Sequence, residues 1–387
     1  MFLYQNFWTY SMNVHPLACW EDLQKTIQDH VLPLKKGLAR HGPMGLGLWL
    51  PENMVFQLLE NPGKKSKLIQ LLKSHDLYVF TMNGFPQKDF HQKVVKEAVY
   101  KPNWMERERL EYSKNLAKLL ADFLPSFVPY GTISTLPLGF KSHDISMKET
   151  FPLLAELVEY LFLLEQEKGK HICFGLEPEP YCLLERTEEV LHFFERFRSF
   201  GETWALERGY ETGWFERICQ KFLGVCFDCC HQGVEFENIQ DSLTKLVEQD
   251  IRIVKVQLSS ALVYFPKAGG LSPLLNFQEP KYLHQTFGRL PDGRLISAPD
   301  LALLFEENTS LWEKAEEIRV HFHIPLFHQN FGSFHSTYAS LKAALEFFST
   351  SENMHFEIET YTWDVLPKAL RESMTLSECL QKEYNQV

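Results

Sequence analysis

The chain has 387 residues, 45% hydrophobic and 23% charged, a mixture that excludes a disordered or low-complexity protein. Its 50 acidic against 39 basic residues give a formal net charge of -11, which repels a phosphate backbone, so nucleic acid is not an expected partner. Met1 to Trp20 lacks the basic start and unbroken apolar core of a signal peptide, and no run of about 18 apolar residues follows. A cytoplasmic protein without a membrane span is expected. Its eight cysteines are scattered apart from Cys226, Cys229 and Cys230, the usage of reduced thiols.

In chain order, short runs of branched and aromatic residues predict strands over Thr9–His15, Met44–Leu50, Leu77–Phe85, Gly131–Leu138, His171–Glu177, Leu223–Asp228 and Ile251–Leu258. Between them lie stretches with helical spacing. One is Arg107–Phe123, where Leu110, Leu116, Leu119, Leu120 and Phe123 form an apolar stripe that is ordinary core. Arg319–Pro325 and His355–Thr360 are two further strand candidates, one more than an eightfold barrel needs, so one must lie outside it.

Repeated strand–helix units over the full chain predict an α/β protein, a single (β/α)8 TIM barrel spanning 1–387. No linker composition divides it. The segment 265–300 follows the seventh strand, carries a hairpin signal at Leu290-Pro-Asp-Gly-Arg294, and is expected to be a lid inserted over the barrel mouth. Tyr282, His284 and Arg289 lie on it.

In such a barrel the C-terminal strand ends surround one pocket, so the residues ending each strand carry the chemistry. They are Asn13 and His15; Asn83-Gly-Phe-Pro86; Glu177-Pro-Glu-Pro180; Asp228-Cys-Cys-His231; Lys255-Val-Gln257; His321-Phe-His323; and Glu357-Ile-Glu359. A buried carboxylate is costly unless paired or holding a cation. Glu177, Asp228, Gln257 and Glu359 offer three anions and one amide oxygen, a donor set for manganese, zinc, magnesium or cobalt. His231, three residues after Asp228, and the alternate pair His321 and His323 could ligate further metals. A lone Glu is more often a salt-bridged structural residue and a lone His a core residue. Their coincidence on successive strand ends argues for a shared metal site. His15, Trp49, Asn83, Phe85, His284 and Trp363 are the candidate substrate contacts. The Cys226-x-x-Cys229 spacing is read as structural, since no second pair follows. Glycine-rich nucleotide loops and the G-x-S-x-G elbow are missing from the sequence.

The ordered motifs resemble the xylose isomerase-like TIM-barrel superfamily. More narrowly, Asn83-Gly-Phe-Pro86, Ser134-Thr-Leu-Pro-Leu-Gly-Phe140, Leu176-Glu-Pro-Glu-Pro180, Cys226-Phe-Asp-Cys-Cys-His231, Lys255-Val-Gln-Leu-Ser-Ser260, Val320-His-Phe-His-Ile-Pro325 and Glu359-Thr-Tyr-Thr-Trp-Asp-Val-Leu-Pro367 look like those of EboE-type metabolite-traffic proteins. The resemblance implies Glu177, Asp228, Gln257 and Glu359 as metal ligands and Glu177 and Glu359 as the proton-transferring pair of a sugar or cyclitol isomerase or epimerase. Gln257 departs from the histidine common at that position. The histidines also resemble those of endonuclease IV-type multi-metal hydrolases, and a metabolite-binding barrel without turnover is the third reading. The partner implied is a small polyol or sugar-like molecule, and oligomerisation is compatible with the sequence.

Overall fold

The computed structural model describes residues 6–38, 42–266, 270–306, 309–371 and 374–387. Eight parallel strands form the central sheet: β1 (Phe7–Tyr10), β2 (Met44–Trp49), β3 (Leu77–Asn83), β4 (Gly131–Thr135), β5 (Ile172–Leu176), β6 (Leu223–Asp228), β7 (Ile253–Leu258) and, last in the chain, His355–Ile358. Each pairs with its sequence neighbour, and His355–Ile358 returns between β7 and β1. A parallel bridge from Ser11 to Gly47 joins β1 to β2. Thr9 reinforces that seam: its Oγ1 donates to the Gly45 carbonyl at 3.0 Å and accepts from the Gly47 amide at 2.8 Å. The strands are buried on both faces because helices such as Arg107–Phe123, Met147–Lys168 and Thr187–Leu206 pack outside them, as a (β/α)8 barrel requires.

Except for β6 and β7, which end at Asp228 and Leu258 as expected, the strands are shorter at their C-terminal ends than their apolar patterns suggest. The first ends at Tyr10, after which Met12–Val14 form a 3-10 turn. Asn13 is thereby carried inward rather than along a strand.

The surplus strand is the one over Glu317–His323. It belongs to a separate antiparallel sheet, built with Ala261–Tyr264 (β8), Thr286–Arg289 (β9), Leu295–Ala298 (β10), Glu317–His323 (β11), Asn330–Phe331 (β12) and Phe334–Ser336 (β13), in the order β10-β9-β11-β8-β13-β12. His355–Ile358 is then β14 and closes the barrel. The hairpin at Leu290–Arg294 joins β9 to β10, with Gly293 at a φ of +84° that its missing Cβ permits. Thus 265–300 is the middle of a longer excursion, from Ser259 to Thr337. Only then does the chain supply the helix Tyr338–Phe347, which packs on Ile239–Glu248. Positions 267–269 of the expected lid lie outside the described residues. Among the described residues no helix is long and apolar enough to cross a membrane.

Candidate functional site

Side chains two apart on a strand share a face, so the last inward positions of neighbouring strands form a ring at the barrel mouth. Glu177 follows β5 directly, its amide bonded to the Thr135 carbonyl at 3.0 Å, and Pro178 then takes the chain out of the sheet. Asp228 ends β6 and caps the short helix Cys229–Val234. Its Oδ1 accepts from the amides of Cys230 at 2.7 Å and His231 at 2.9 Å and from Ser259 Oγ at 2.7 Å. Gln257 lies opposite both Asp228 and Glu357 in the sheet register. Glu359 follows β14, and its Oε1 accepts from Asn13 Nδ2 at 2.7 Å and Asn83 Nδ2 at 2.9 Å.

One carboxylate oxygen from each of Glu177, Asp228 and Glu359 falls within 4.8 Å of the others, all three side chains being buried. Glu177 Oε2, Asp228 Oδ2 and both polar atoms of Gln257 are buried without any hydrogen-bond partner. Such orphans are rare because leaving a polar atom unpaired in the interior costs roughly 1–3 kcal/mol, more for a charge. The donor set suits a divalent cation. Burial pushes the Glu177 carboxyl up to about 8, and Asp228 adds to the rise. Burial, then Glu177 and Asp228, hold Glu359 well above the usual carboxylate range. For Asp228 the penalty of burial is outweighed by the His231 and His323 imidazoles and by bonds from the His231 amide and Ser259, leaving it below its ordinary value.

Beside this ring stand three imidazoles. His231 Nδ1 is 2.9 Å from the Pro178 carbonyl and His323 Nδ1 is 2.8 Å from the Glu359 carbonyl. A carbonyl can only accept, so each Nδ1 carries a proton, and in the neutral ring each Nε2 is left as a lone pair. His321 Nδ1 is 2.8 Å from Gln285 Oε1, whose amide orientation is set by Gln285 Nε2 donating to the Pro180 carbonyl at 3.1 Å. The His321 and His323 Nε2 atoms then face each other at 3.2 Å. Burial first, and neighbouring imidazoles second, keep His321 well below its usual range; His323 falls to about 4, mainly through burial. His231 is raised, because Asp228, Glu179 and Glu177 outweigh its burial. Three ligand groups result, Asp228 with His231 and His323, Glu179 with His231 and His321, and Cys230 with His321 and His323. Asp228 belongs to both the carboxylate ring and the imidazole cluster.

A cavity of about 510 Å³, its open mouth included, lies over the ring. Of the expected substrate contacts, Asn83 and Phe85 line it. The other four do not. His15 is turned toward Tyr10 Oη, 3.0 Å away, and packs on His30; its imidazole is lowered to about 3, chiefly by burial. Trp49 is buried with Nε1 donating to the Pro86 carbonyl at 2.9 Å. His284 sits between the His321 carbonyl and Glu279, stacked on Phe322, and so orients the imidazole cluster from behind. Trp363 packs in the core, whereas Tyr361, two residues earlier, reaches the cavity. Asn13, Glu179, Phe90, Tyr100 and Tyr361 also line it and were not singled out from sequence as contacts. For Glu179 the Glu-Pro-Glu-Pro run was the available signal. Burial raises its carboxyl, and Tyr100 Oη donates to its Oε1 at 2.7 Å.

No protein-family model and no curated protein matches the chain. Among solved structures it is similar to the IolI protein with a bound zinc atom (11% identity, TM-score 0.49, covering 98% of this chain and 96% of that one). It is also similar to the probable 3-DHS dehydratase AsbF of Bacillus anthracis (11% identity, TM-score 0.48, 98% of each chain). A third is a xylose isomerase-like TIM-barrel protein of Mycobacterium smegmatis in complex with magnesium (9% identity, TM-score 0.48, 99% of each). The barrel assignment stands on the strand order of this chain.

Proposed function

We propose that the protein is a divalent-metal-dependent isomerase or epimerase of a small polyhydroxylated metabolite, with Glu177, Asp228, Gln257 and Glu359 holding the cation. The observation carrying this reading is the set of buried, partnerless donor atoms on Glu177, Asp228 and Gln257 beside Glu359. A bound cation would polarise neighbouring substrate oxygens and stabilise negative charge beside a carbonyl. The chain's own groups would do the rest. Glu177 and Glu359 stand on strands separated by β6 and β7, so they approach a bound molecule from two sides and can take a proton from one face of a carbon and return one to the other. Asn13 and Asn83 fix Glu359 by donating to the same oxygen, leaving its other oxygen for that work. Phe85, Phe90 and Tyr361 would exclude water above the ring.

A second reading, a multi-metal hydrolase, is supported by the three imidazoles whose Nδ1 atoms are held so that their Nε2 lone pairs converge. Elemental analysis of the protein as isolated separates the two. One divalent ion per chain is expected for the isomerase; two or three per chain would favour the hydrolase; none after purification and metal addition would defeat both. Deuterium uptake from D2O at a carbon next to a carbonyl, across a panel of sugars and cyclitols, then tests proton transfer itself.

A further inference from the structure

We propose that the molecule bound over the ring is uncharged and two-faced, with a hydroxylated end on the floor of the cavity and an apolar substituent against its wall; only the floor half rests on the metal-site reading. The apolar lining residues gather on one side of the cavity, although Lys96, Tyr100, Tyr282 and His321 also line it. Asn13, Asn83, Glu177, Glu359 and His231, from strand ends, make the floor. The wall comes from two other segments. Val95 precedes the 3-10 turn Lys96–Tyr100 and Val99 lies within it, and Leu283 comes from the excursion between β8 and β9. A roof is made where Phe90, Tyr282 and Tyr361 pack together, with ring centroids 4.9 to 5.2 Å apart. Sugar rings can stack on aromatic faces, but Val95, Val99 and Leu283 offer nothing to a hydroxyl, and burying one there unpaired is costly. An alkyl or similar group suits them.

The same cavity is unsuited to a phosphate or carboxylate. Glu177, Glu179 and Glu359 line it; of its basic lining residues, Lys96 is already engaged, and His231 and His321 stand beside the carboxylates of Asp228 and Glu179. Lys96 Nζ donates to the Tyr282 carbonyl at 2.6 Å, to Asp300 Oδ2 at 2.6 Å and to the Glu279 carbonyl at 3.3 Å. Barrels often seat a phosphate at a helix N-terminus in the loops after the seventh and eighth strands. Here β7 runs after two residues into β8, a strand, and the helix end next to the ring, at Cys229, is already capped by Asp228.

The test uses hexyl glycosides of glucose, galactose and mannose, each against its parent sugar and the corresponding 6-phosphate. Thermal-shift titrations of the wild-type protein give the affinities, with metal content measured on the same samples. At least one hexyl glycoside should bind ten-fold or more tightly than its parent, and no 6-phosphate should bind more tightly than its parent. Val99→Asp should abolish the hexyl preference at unchanged metal content. Equal binding of hexyl glycosides and parents, tighter binding of a 6-phosphate, or a preference that survives Val99→Asp overturns the proposal. Protein that takes up no metal yet keeps the hexyl preference overturns the metal reading and supports this one.

Discussion

Two layers of the barrel interior place carboxylates in the same low-dielectric surroundings and treat them differently. In the lower layer, two residues back along β7 and from Glu359, Lys255 and Glu357 form an ion pair with both side chains fully buried. Burial pushes the Lys255 ammonium down, but Glu357, together with Cys226 and Glu177, outweighs it and holds it above its usual range. Gly47 is required beside this pair, because a Cβ there would lie 1.8 Å from Glu357 Oε1. In the upper layer Glu177, Asp228 and Glu359 crowd together with no Lys or Arg among the described residues bonded to any of them, and Glu177 Oε2 and Asp228 Oδ2 have no hydrogen-bond partner. Where the chain supplies its own cation the charge is closed; where it does not, the proposed metal ion would close it. A third solution is protonation. Burial pushes the Glu383 carboxyl up to about 7; its Oε1 accepts from Thr360 Oγ1 and the Leu326 amide, while its Oε2 has no partner.

The largest effect is expected in the lower layer. Lys255→Met strands Glu357 without a counter-charge and should destabilise the protein by about 3–5 kcal/mol in urea unfolding, most of it recovered in Lys255→Met/Glu357→Gln. A neutral Lys255→Met would remove the contrast between the layers. In the upper layer, Glu177→Gln and Asp228→Asn should each lower metal content by elemental analysis. They should also lose the stabilisation that added metal gives, about 2.7 kcal/mol at a hundredfold excess over Kd. Glu359→Gln should lose occupancy or, if metal stays, turnover. Full occupancy in Glu177→Gln and Asp228→Asn would contradict the ligand assignment.

The effect at Glu383 is graded by pH. Its folded-state pKa lies above its unfolded one, so the stability it supplies is full below about 4.5 and is lost as pH rises to about 7. Over that window the loss is on the order of 3 kcal/mol, and Glu383→Gln should flatten the dependence of Tm on pH there. An unchanged slope would mean that Glu383 stays ionised in the folded protein.

The barrel was legible from alternation and strand-end chemistry because both are local. Glu177, Asp228 and Glu359 could be placed from sequence for the same reason: each is the residue at which an apolar run stops. Alternation does not reveal a strand's partner, which is why Glu317–His323 and His355–Ile358 read alike although one pairs antiparallel outside the barrel and the other parallel within it. The imidazoles' tautomers depend on the Pro178 and Glu359 carbonyls and on the Gln285 amide, contacts across 36 to 53 residues. Phe90 and Tyr361 meet only through tertiary packing. Trp49 and Trp363 were more conspicuous in the sequence, yet large aromatic side chains serve the core as readily as a cavity.

The passage from β7 to β8 occupies just Ser259 and Ser260, too short for a pivot. Ser259 Oγ donates to Asp228 and accepts from the Cys230 amide, so this step is bolted to the residue shared by the ring and the imidazole cluster. The small antiparallel sheet is thus joined to Asp228 through a single serine, two residues from its first strand.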